Sequence, residues 1–543
     1  MRQVWLAGPL ALAAFLLLGS AWALALPVNG TYDEKQHVVR AYAAVTGQWL
    51  PTGHAPDAIG LPNEAFDAPR SLLPELADCT WSPRPPKPAS CQIEVTDRAH
   101  TAMPSGAARY SPVYYLLVGA PLLISPDQTG VILARLLSAL FAAAMFAAAF
   151  MIAARLGNRL LSLAIVLAAT PLVINIGASV NPNGVEMSAG VLLFTALLGL
   201  VRTDPAEQPG RWLLVAIGGS GALLITVRGL GPVLCLAALL AVAVVATRER
   251  LAALLRSART WALAGAPMLV AVLFAAWWTV YSKVTDAAEV PSRALPYSAG
   301  EIVRRIPGER GRFYLDQVVA RFSYGETLVS PAMIYAWYLA MALLVLPALW
   351  YGTARLRLAT AGVLTVCAAI LIGLELKFVP TAGWWAQPRY VMPLGLGVLV
   401  LAAFEGRLAS RFAGPLPGWL ESRLPSRLRG HGYPGLPVVA LVAALLPLHL
   451  YALARVLARF ESGIAAGPNP FVDGSWQPAL GPWPPVVTMV LGCLTLLAAV
   501  MVTALADRTP VAQAAPGAQR AQAQTEDDLP TGGTTLRSQV SAS

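Results

Sequence analysis

The chain has 543 residues, of which 56% are hydrophobic, and its mean hydropathy is +0.59. This composition excludes an ordinary soluble domain and indicates a polytopic membrane protein, because many apolar runs approach or reach bilayer length. The net charge of +10 does not indicate nucleic-acid binding, since the basic residues lie mainly in short loops between apolar runs, where they set orientation in the bilayer.

The apolar runs predict an all-α protein with about twelve transmembrane helices within residues 1–506. The first run, residues 6–25, could pass for a signal peptide, but we expect it to remain as a helix because the polar segment after it has a functional character. The other predicted spans are residues 131–154, 160–178, 185–201, 212–227, 230–246, 261–281, 332–351, 358–374, 390–404, 436–457 and 486–506. Residues 507–543 contain few large apolar residues and predict a disordered cytoplasmic tail.

The short loops predict the orientation, because positively charged loops stay in the cytoplasm. Both termini are then cytoplasmic. Three large loops face outward: loop 1 (residues 27–110), loop 2 (282–331) and loop 3 (459–484). The arginines that decide this are Arg155, Arg159, Arg248, Arg250, Arg256, Arg259, Arg355, Arg357, Arg407, Arg411, Arg423, Arg427 and Arg429.

Other features belong to the outward side. Cys79 and Cys91 share loop 1 and predict a disulfide if that loop is extracytoplasmic. Residues 111–124 are too short to span and carry tyrosines, and residues 312–322 repeat apolar positions at helical spacing. Both segments predict short helices that lie at the membrane interface.

Loop 1 begins with an acidic pair, Asp33 and Glu34, just outside the first span. Asp33 with Gln36 predicts a capping box that opens a short helix, on which His37 and Arg40 share a face with the acids. A carboxylate held at the membrane surface can take a proton from a sugar hydroxyl. The alternative interpretation is that Asp33 only caps this helix.

Further ionisable residues fall at the outer ends of spans, where charge is costly and therefore often functional. Glu186 follows a turn that starts at Asn181, Arg228 lies in an outer turn, and Arg389 precedes the tenth span. A guanidinium at that depth suits a lipid-linked phosphate, although each arginine could also only contact lipid headgroups. Arg135, Glu375 and Lys377 also lie near outer ends, in less specific contexts.

In this arrangement the chain resembles the bacterial membrane-protein family called domain of unknown function 2142, itself similar to C-type (GT-C) glycosyltransferases that use polyprenyl-phosphate sugars. Four segments carry the resemblance: Asp33 to His37 with Arg40 and Ala41; Ser111 to Tyr115, which includes Tyr114; Asn181 to Glu186; and Gln387 to Tyr390. The chain departs from the family at Asn183, where an aspartate is expected, and at Pro388, where a glycine is common. The resemblance implies a GT-C-like fold in a bacterial plasma membrane and makes Asp33 the position of the catalytic carboxylate.

These observations lead to the hypothesis of an inverting glycosyl transfer at the outer face. The donor is expected to be a polyprenyl-phosphate sugar and the acceptor a cell-envelope glycan or glycolipid. Asp33 is the expected base, assisted by Glu34 and His37. The residues expected to bind substrate are Arg40, Tyr114, Tyr115, Asn181, Glu186, Arg228, Gln387, Arg389 and Tyr390.

The choice of base between Asp33 and Glu34 stays open at this point. Their adjacency would suit a divalent metal, but no further acidic ligand accompanies them, so we expect no required metal or other cofactor. Two other classes of function remain as alternatives. A flippase or transporter of a lipid-linked precursor would place paired charges near the bilayer midplane, and a non-catalytic assembly partner would tolerate substitution of Asp33.

Overall fold

The computed structural model describes residues 2–57, 60, 62–82, 84–203, 208–283, 294–404, 435–471 and 474–504. The predicted tail and the arginines predicted between residues 405 and 434 lie outside these ranges. The described part is mostly helical, which confirms the predicted helical membrane architecture.

The helices, in chain order, are α1 (Arg2–Ala25), α2 (Glu34–Val45), α3 (Pro112–Val118), α4 (Ala120–Ile124), α5 (Gln128–Leu156), α6 (Arg159–Ala168), α7 (Pro171–Gly177), α8 (Pro182–Arg202), α9 (Arg211–Val227), α10 (Gly231–Val245), α11 (Arg248–Arg256), α12 (Ala258–Ser282), α13 (Ala299–Glu309), α14 (Gly311–Val319), α15 (Pro331–Tyr351), α16 (Ala354–Ala382), α17 (Met392–Ala403), α18 (Leu436–Ser462) and α19 (Trp483–Ala504). The strands are β1 (Gly53–Pro56), β2 (Pro62–Pro69), β3 (His100–Pro104), β4 (Arg321–Phe322) and β5 (Thr327–Leu328).

Eight helices within the described ranges are long and apolar enough to cross a membrane, and the bent pair α6–α7 makes a ninth candidate. Three predicted spans correspond to the shorter apolar helices α9, α10 and α17. The chain is therefore a multi-pass membrane protein, and the exact count of twelve spans stays a prediction. α1 belongs to the bundle, because its Phe15 ring stacks on Phe146 of α5 with 5.0 Å between centroids.

The third predicted span is broken, and the break shapes the site. α6 and α7 meet at an angle of 67° at Thr170 and Pro171. Proline cannot continue the ladder of helical hydrogen bonds, and the Thr170 hydroxyl caps the new helix by accepting a bond from Val173 N. After α7 the chain turns, and α8 begins with Asn181 as its N-cap. The Asn181 amide donates to Tyr32 O, so this turn lies directly beneath the start of α2.

The three large loops meet at one end of the bundle, which we call the loop face. Loop 1 contains an antiparallel sheet in the order β1-β2-β3, an element that the sequence analysis did not predict, and loop 2 ends in the β4–β5 hairpin. Loop 1 contacts loop 3 through the hydroxyls of Ser90 and Ser475, 2.8 Å apart. At the opposite end the Arg355 guanidinium donates to Ala246 O at 3.1 Å. Arg355 lies in one of the short loops that the orientation argument assigns to the cytoplasm, and the sidedness of the chain stays a prediction.

The two predicted interfacial segments differ. α3 and α4 expose Leu116, Leu117, Leu123 and Ile124, the last of them 85% exposed, which suits a membrane surface. Among the apolar residues of 312–322 only Leu315 is strongly exposed. Phe322 is fully buried and stacks on Trp22 at 5.1 Å, so this part of the predicted face turns into the protein instead of toward lipid.

Candidate active site

Asp33 stands at the start of α2 with an unusual backbone. Its φ of 56° and ψ of 11° are left-handed, and its side chain makes no capping hydrogen bond. The predicted capping box is therefore wrong, because an N-cap carboxylate needs an extended backbone to reach the N–H groups of the first turn. Gln36 instead accepts a hydrogen bond from Gly106 N at 2.7 Å. The backbone turns the Asp33 carboxylate toward Arg389, with 40% of the side chain exposed.

Arg389 is the partner of Asp33 and lies 356 positions further along the chain. Its Nη2 donates to the Asp33 carboxylate, while the side chain is 1% exposed. The guanidinium lies over the rings of Tyr32 and Tyr390, 4.6 and 5.3 Å from their centroids. Its Nε and Nη1 are buried and find no hydrogen-bond partner among the residues that the structure describes. A buried donor without an acceptor costs about 1–3 kcal/mol, so an anion bound here would be stabilised.

The charges around Asp33 favour its ionised form. Burial alone would raise its pKa, but the positive charge and hydrogen bond of Arg389, with Arg228 further away, hold the pKa below its usual range. Asp33 is therefore a carboxylate at neutral pH. It can accept a proton or a hydrogen bond from a neutral hydroxyl.

His37 lies one helical turn after Asp33 and is buried. Its Nδ1 is 2.8 Å from the hydroxyl of Tyr115, whose ring stacks beside it. Burial lowers the pKa of His37 to about 3, with Arg228 and Arg389 acting in the same direction and Asp33 opposing. His37 is therefore a neutral imidazole beside the Asp33 carboxylate.

Glu34 points away from this pair, although it is the neighbouring residue. Its carboxylate is fully buried and receives two hydrogen bonds from Arg135 of α5, at 2.7 and 2.6 Å. Arg135 also donates to the carbonyls of Ala23, Leu26 and Pro27. The pair joins α5 to the end of α1, and this geometry favours Asp33 over Glu34 as the residue that meets a substrate.

Two of the other predicted binding residues are engaged in the fold. Arg40 is fully buried and donates to the carbonyls of Gln48, Trp49 and Tyr110 at 3.0–3.2 Å. The Tyr114 hydroxyl is also buried, 2.9 Å from Ser138 Oγ. These contacts hold loop 1 against the bundle.

Glu186 and Arg228 form a second pair near the first. Arg228 Nη1 is 3.6 Å from Glu186 Oε2, which also accepts a hydrogen bond from Asn183 at 3.0 Å. Arg228 lies over the ring of Tyr390 at 4.8 Å, so Arg228 and Arg389 approach the same aromatic ring. Tyr390 therefore connects the two ion pairs.

The amides of the remaining motifs support these side chains. Asn181 Nδ2 donates to Tyr32 O at 2.7 Å, and Gln387 Oε1 accepts from Gln317 at 2.9 Å. The structure thus gathers Asp33, His37, Glu186, Arg228, Arg389 and Tyr390. Asn181 supports them through the backbone of Tyr32, and Gln387 through the side chain of Gln317. Cys79 and Cys91 are joined by a disulfide in loop 1.

Sequence analysis did not identify two aromatic residues that lie near Asp33. Tyr32 lies beneath Arg389, and Tyr324 of the β4–β5 hairpin lies 6.3 Å from the Tyr32 ring. Tyr32 precedes the acidic motif directly, which was the available signal, whereas nothing near Tyr324 in the sequence indicates its position. Within the described ranges no group of three or more His, Cys, Asp or Glu side chains has a metal-binding arrangement, and the independence from metal stays a prediction.

Comparisons with known proteins find one family model and several solved structures, two of which are structures of ArnT. The family model described as "Predicted membrane protein (DUF2142)" matches residues 16–398. The crystal structure of ArnT from Cupriavidus metallidurans in the apo state is similar at a TM-score of 0.39 and 14% identity, covering 89% of this chain and 75% of that one. The structure of ArnT from the same organism bound to undecaprenyl phosphate gives 0.38 and 16%, covering 92% and 77%. No curated protein matches the chain. At these scores the structural likeness assigns neither substrate nor site residues.

Proposed function

This chain belongs to the DUF2142 family of predicted membrane proteins, and from the geometry of its loop face we propose that it is a membrane glycosyltransferase. It moves a sugar from a polyprenyl-phosphate donor to a cell-envelope glycan or glycolipid. The loop face is the extracytoplasmic side, and both termini are cytoplasmic.

One observation carries this proposal: the half-exposed carboxylate of Asp33 contacts the buried guanidinium of Arg389, whose Nε and Nη1 have no hydrogen-bond partner in the described part of the chain. The carboxylate can accept the proton of an acceptor hydroxyl. The guanidinium offers its fork of N–H groups to an anion at the same place. Glycosyl transfer from a phosphate ester needs both functions side by side.

The proposed reaction is a single displacement. The acceptor oxygen forms a bond to the anomeric carbon while the bond from that carbon to the phosphate oxygen breaks, so the configuration inverts. Asp33 takes the hydroxyl proton, and the electron pair leaves with the polyprenyl phosphate. Arg389 stabilises the charge that develops on that phosphate, so the leaving group needs no proton.

The neighbouring residues have supporting roles in this proposal. Arg228 is the second cation near the phosphate and is 15% exposed, and its contact with Glu186 is longer than a tight hydrogen bond. His37, neutral and fixed by Tyr115, orients Asp33 or the acceptor. Glu34 and Arg40 have no part in the chemistry, because their polar groups are engaged within the fold.

The alternative of a flippase receives less support. Its prediction is paired charges in the middle of spans. The ion pairs Asp33–Arg389 and Glu186–Arg228 lie at the ends of helices on the loop face, and Glu34–Arg135 lies within about two turns of such an end.

The test is transfer of radiolabelled sugar from a panel of polyprenyl-phosphate donors to envelope acceptors in membranes that contain the protein at matched levels. Asp33→Asn is expected to lower the rate about 10²–10⁴-fold, because the amide keeps the shape and removes the base. Arg389→Lys keeps the charge but loses the fork and is expected to lower the rate as well.

The matched control is Arg305→Leu, since Arg305 is a half-exposed loop 2 arginine whose contact with Glu309 is long. This variant is expected to retain the wild-type rate. Wild-type rates with Asp33→Asn, or the absence of transfer from every donor of the panel, would count against the proposed function.

A further inference from the structure

An aromatic pair borders Asp33 on the loop face. Trp81 of loop 1 and Tyr324 of loop 2 stack with 4.2 Å between ring centroids and an interplanar angle of 21°. Both side chains are partly exposed. The Trp81 indole donates to Asp78 Oδ1 at 3.1 Å, and the Tyr324 hydroxyl donates to Asn29 Oδ1 at 2.8 Å. Each ring is therefore held in one orientation by the hydrogen bond at its polar edge.

The backbone around this pair adopts conformations that are costly for residues with side chains. Ser323 and Gly325, on either side of Tyr324, have φ values of 55° and 93°, and Asn29 has a φ of 61°. With Asp33, three of the five non-glycine residues with positive φ in the described ranges surround the same place. Such conformations cost about 1–3 kcal/mol each and tend to cluster at functional sites.

A single guanidinium contacts both the segment that carries Trp81 and the hairpin that carries Tyr324. Arg459 of α18 is fully buried and donates to Thr80 O, directly before Trp81. It also donates to Glu326 Oε1 at 3.0 Å and to Thr327 Oγ1 at 3.2 Å, both on the hairpin that carries Tyr324. The Cys79–Cys91 disulfide closes the loop 1 segment. The pair is therefore set in place before any ligand binds, which lowers the entropy cost of binding.

The surroundings of the pair are polar and rich in hydrogen-bonding groups. Asp78 pairs with Lys35, and Asn29 links both to the Tyr324 hydroxyl. A flat aromatic surface beside a carboxylate, an amide and an ammonium matches a sugar ring, which offers C–H groups on its face and hydroxyls at its edge. The Tyr32 ring is 6.3 Å from the Tyr324 ring and 4.6 Å from the guanidinium of Arg389, which donates to Asp33. These contacts connect the aromatic pair to the carboxylate.

We propose that Trp81 and Tyr324 form a carbohydrate subsite that holds the acceptor sugar and presents its hydroxyl to Asp33. As an acceptor site it rests on the proposed function. As a carbohydrate-binding surface it can be tested without turnover.

The experiment is saturation-transfer NMR on the full chain in nanodiscs free of sugar detergent, with methyl β-D-glucopyranoside, methyl β-D-galactopyranoside and methyl α-D-mannopyranoside as probes. Wild-type protein is expected to transfer saturation to the ring protons of at least one sugar. Trp81→Ala is expected to weaken that binding about tenfold, whereas Trp81→Phe retains most of it because it keeps an aromatic face. The control is Trp49→Ala, which removes another exposed tryptophan of loop 1.

The outcomes separate this inference from the proposed function. Binding that depends on Trp81 and persists in Asp33→Asn supports the subsite even if no donor supports transfer. Active transfer with an acceptor KM unchanged by Trp81→Ala would overturn the subsite while the proposed function stands. An absence of saturation transfer to all three sugars, or equal signals from wild type and Trp81→Ala, would also overturn it. Tyr324→Phe is a milder variant for the case that Trp81→Ala misfolds, because it keeps the ring and removes only the hydroxyl. It is expected to retain sugar binding within about threefold.

Discussion

Glu34→Gln is the substitution that best separates the two adjacent acids of loop 1. The side chain is fully buried and takes two charge-assisted hydrogen bonds from Arg135, which is itself 1% exposed. Glutamine has nearly the same shape but no charge, so the Arg135 cation would be left buried and uncompensated. Breaking a buried pair in this way costs about 3–5 kcal/mol. We therefore expect Glu34→Gln to lower the free energy of unfolding by that amount.

The assay is equilibrium unfolding by titration of SDS into mixed micelles, followed by helical circular dichroism. A double variant, Glu34→Gln with Arg135→Met, is expected to lose less than the sum of the two single changes, with a coupling energy of about 2–3 kcal/mol. Glu309→Gln removes a half-exposed partner of Arg305 and is expected to change the free energy of unfolding by less than about 0.5 kcal/mol. A Glu34→Gln protein as stable as wild type would refute the reasoning. Normal stability with lost activity would also place Glu34 in the chemistry.

Three further predictions use the same unfolding titration. The folded state keeps the pKa of His37 at about 3, so as the pH falls below about 6.5 the His37 imidazole is protonated in the unfolded chain before it is protonated in the folded one. The free energy of unfolding should therefore fall by about 2 kcal/mol at pH 5. His37→Gln should remove this contribution of His37, whereas His54→Gln, at an exposed position, should leave it in place. Replacing both Cys79 and Cys91 by serine should lower the free energy of unfolding by about 3 kcal/mol, as expected for a cross-link between residues 12 positions apart, and an unchanged value would contradict a structural role. Arg459→Lys should cost about 2–3 kcal/mol and weaken sugar binding at Trp81, since one ammonium cannot replace the guanidinium fork; intact sugar binding would contradict its positioning role.

Much of the membrane architecture could be predicted because a helix that crosses the lipid needs a long run of apolar residues, which hydropathy along the chain detects. Each predicted span coincides with an apolar helix or with the bent pair α6–α7. The bend itself depends on Thr170 and Pro171, a cap followed by a proline, which hydropathy averages away. The sheet of loop 1 was missed because its strands contain proline and lack the β-branched residues that favour strands, as in β1 and β2.

The individual residues of the site could be predicted from the sequence, but the contacts between them could not. Asp33, Arg228 and Arg389 each stood out as ionisable residues beside apolar spans. The contact between Asp33 and Arg389 depends on how the helices pack and on a left-handed backbone at Asp33, and the sequence signals for capping predicted the opposite conformation. The same limit applies to Glu34, because its buried partner Arg135 lies 101 positions away.

The contribution of loop 2 was missed for a different reason. The apolar spacing in residues 312–322 predicted a helix against the membrane, but the chain leaves the helix at Val319 and forms a hairpin. Two left-handed residues, Ser323 and Gly325, make that hairpin, and only one of them is a glycine. The position of Tyr324 therefore follows from tertiary packing against Trp81 and Asn29.

The most direct test of the account is the initial rate of sugar transfer by Asp33→Asn and by Glu34→Gln, each divided by the amount of folded protein. The account predicts a loss of about 10²–10⁴-fold for Asp33→Asn and a rate near wild type for each folded Glu34→Gln molecule. The reverse pattern would contradict the assignment of Asp33 as the base.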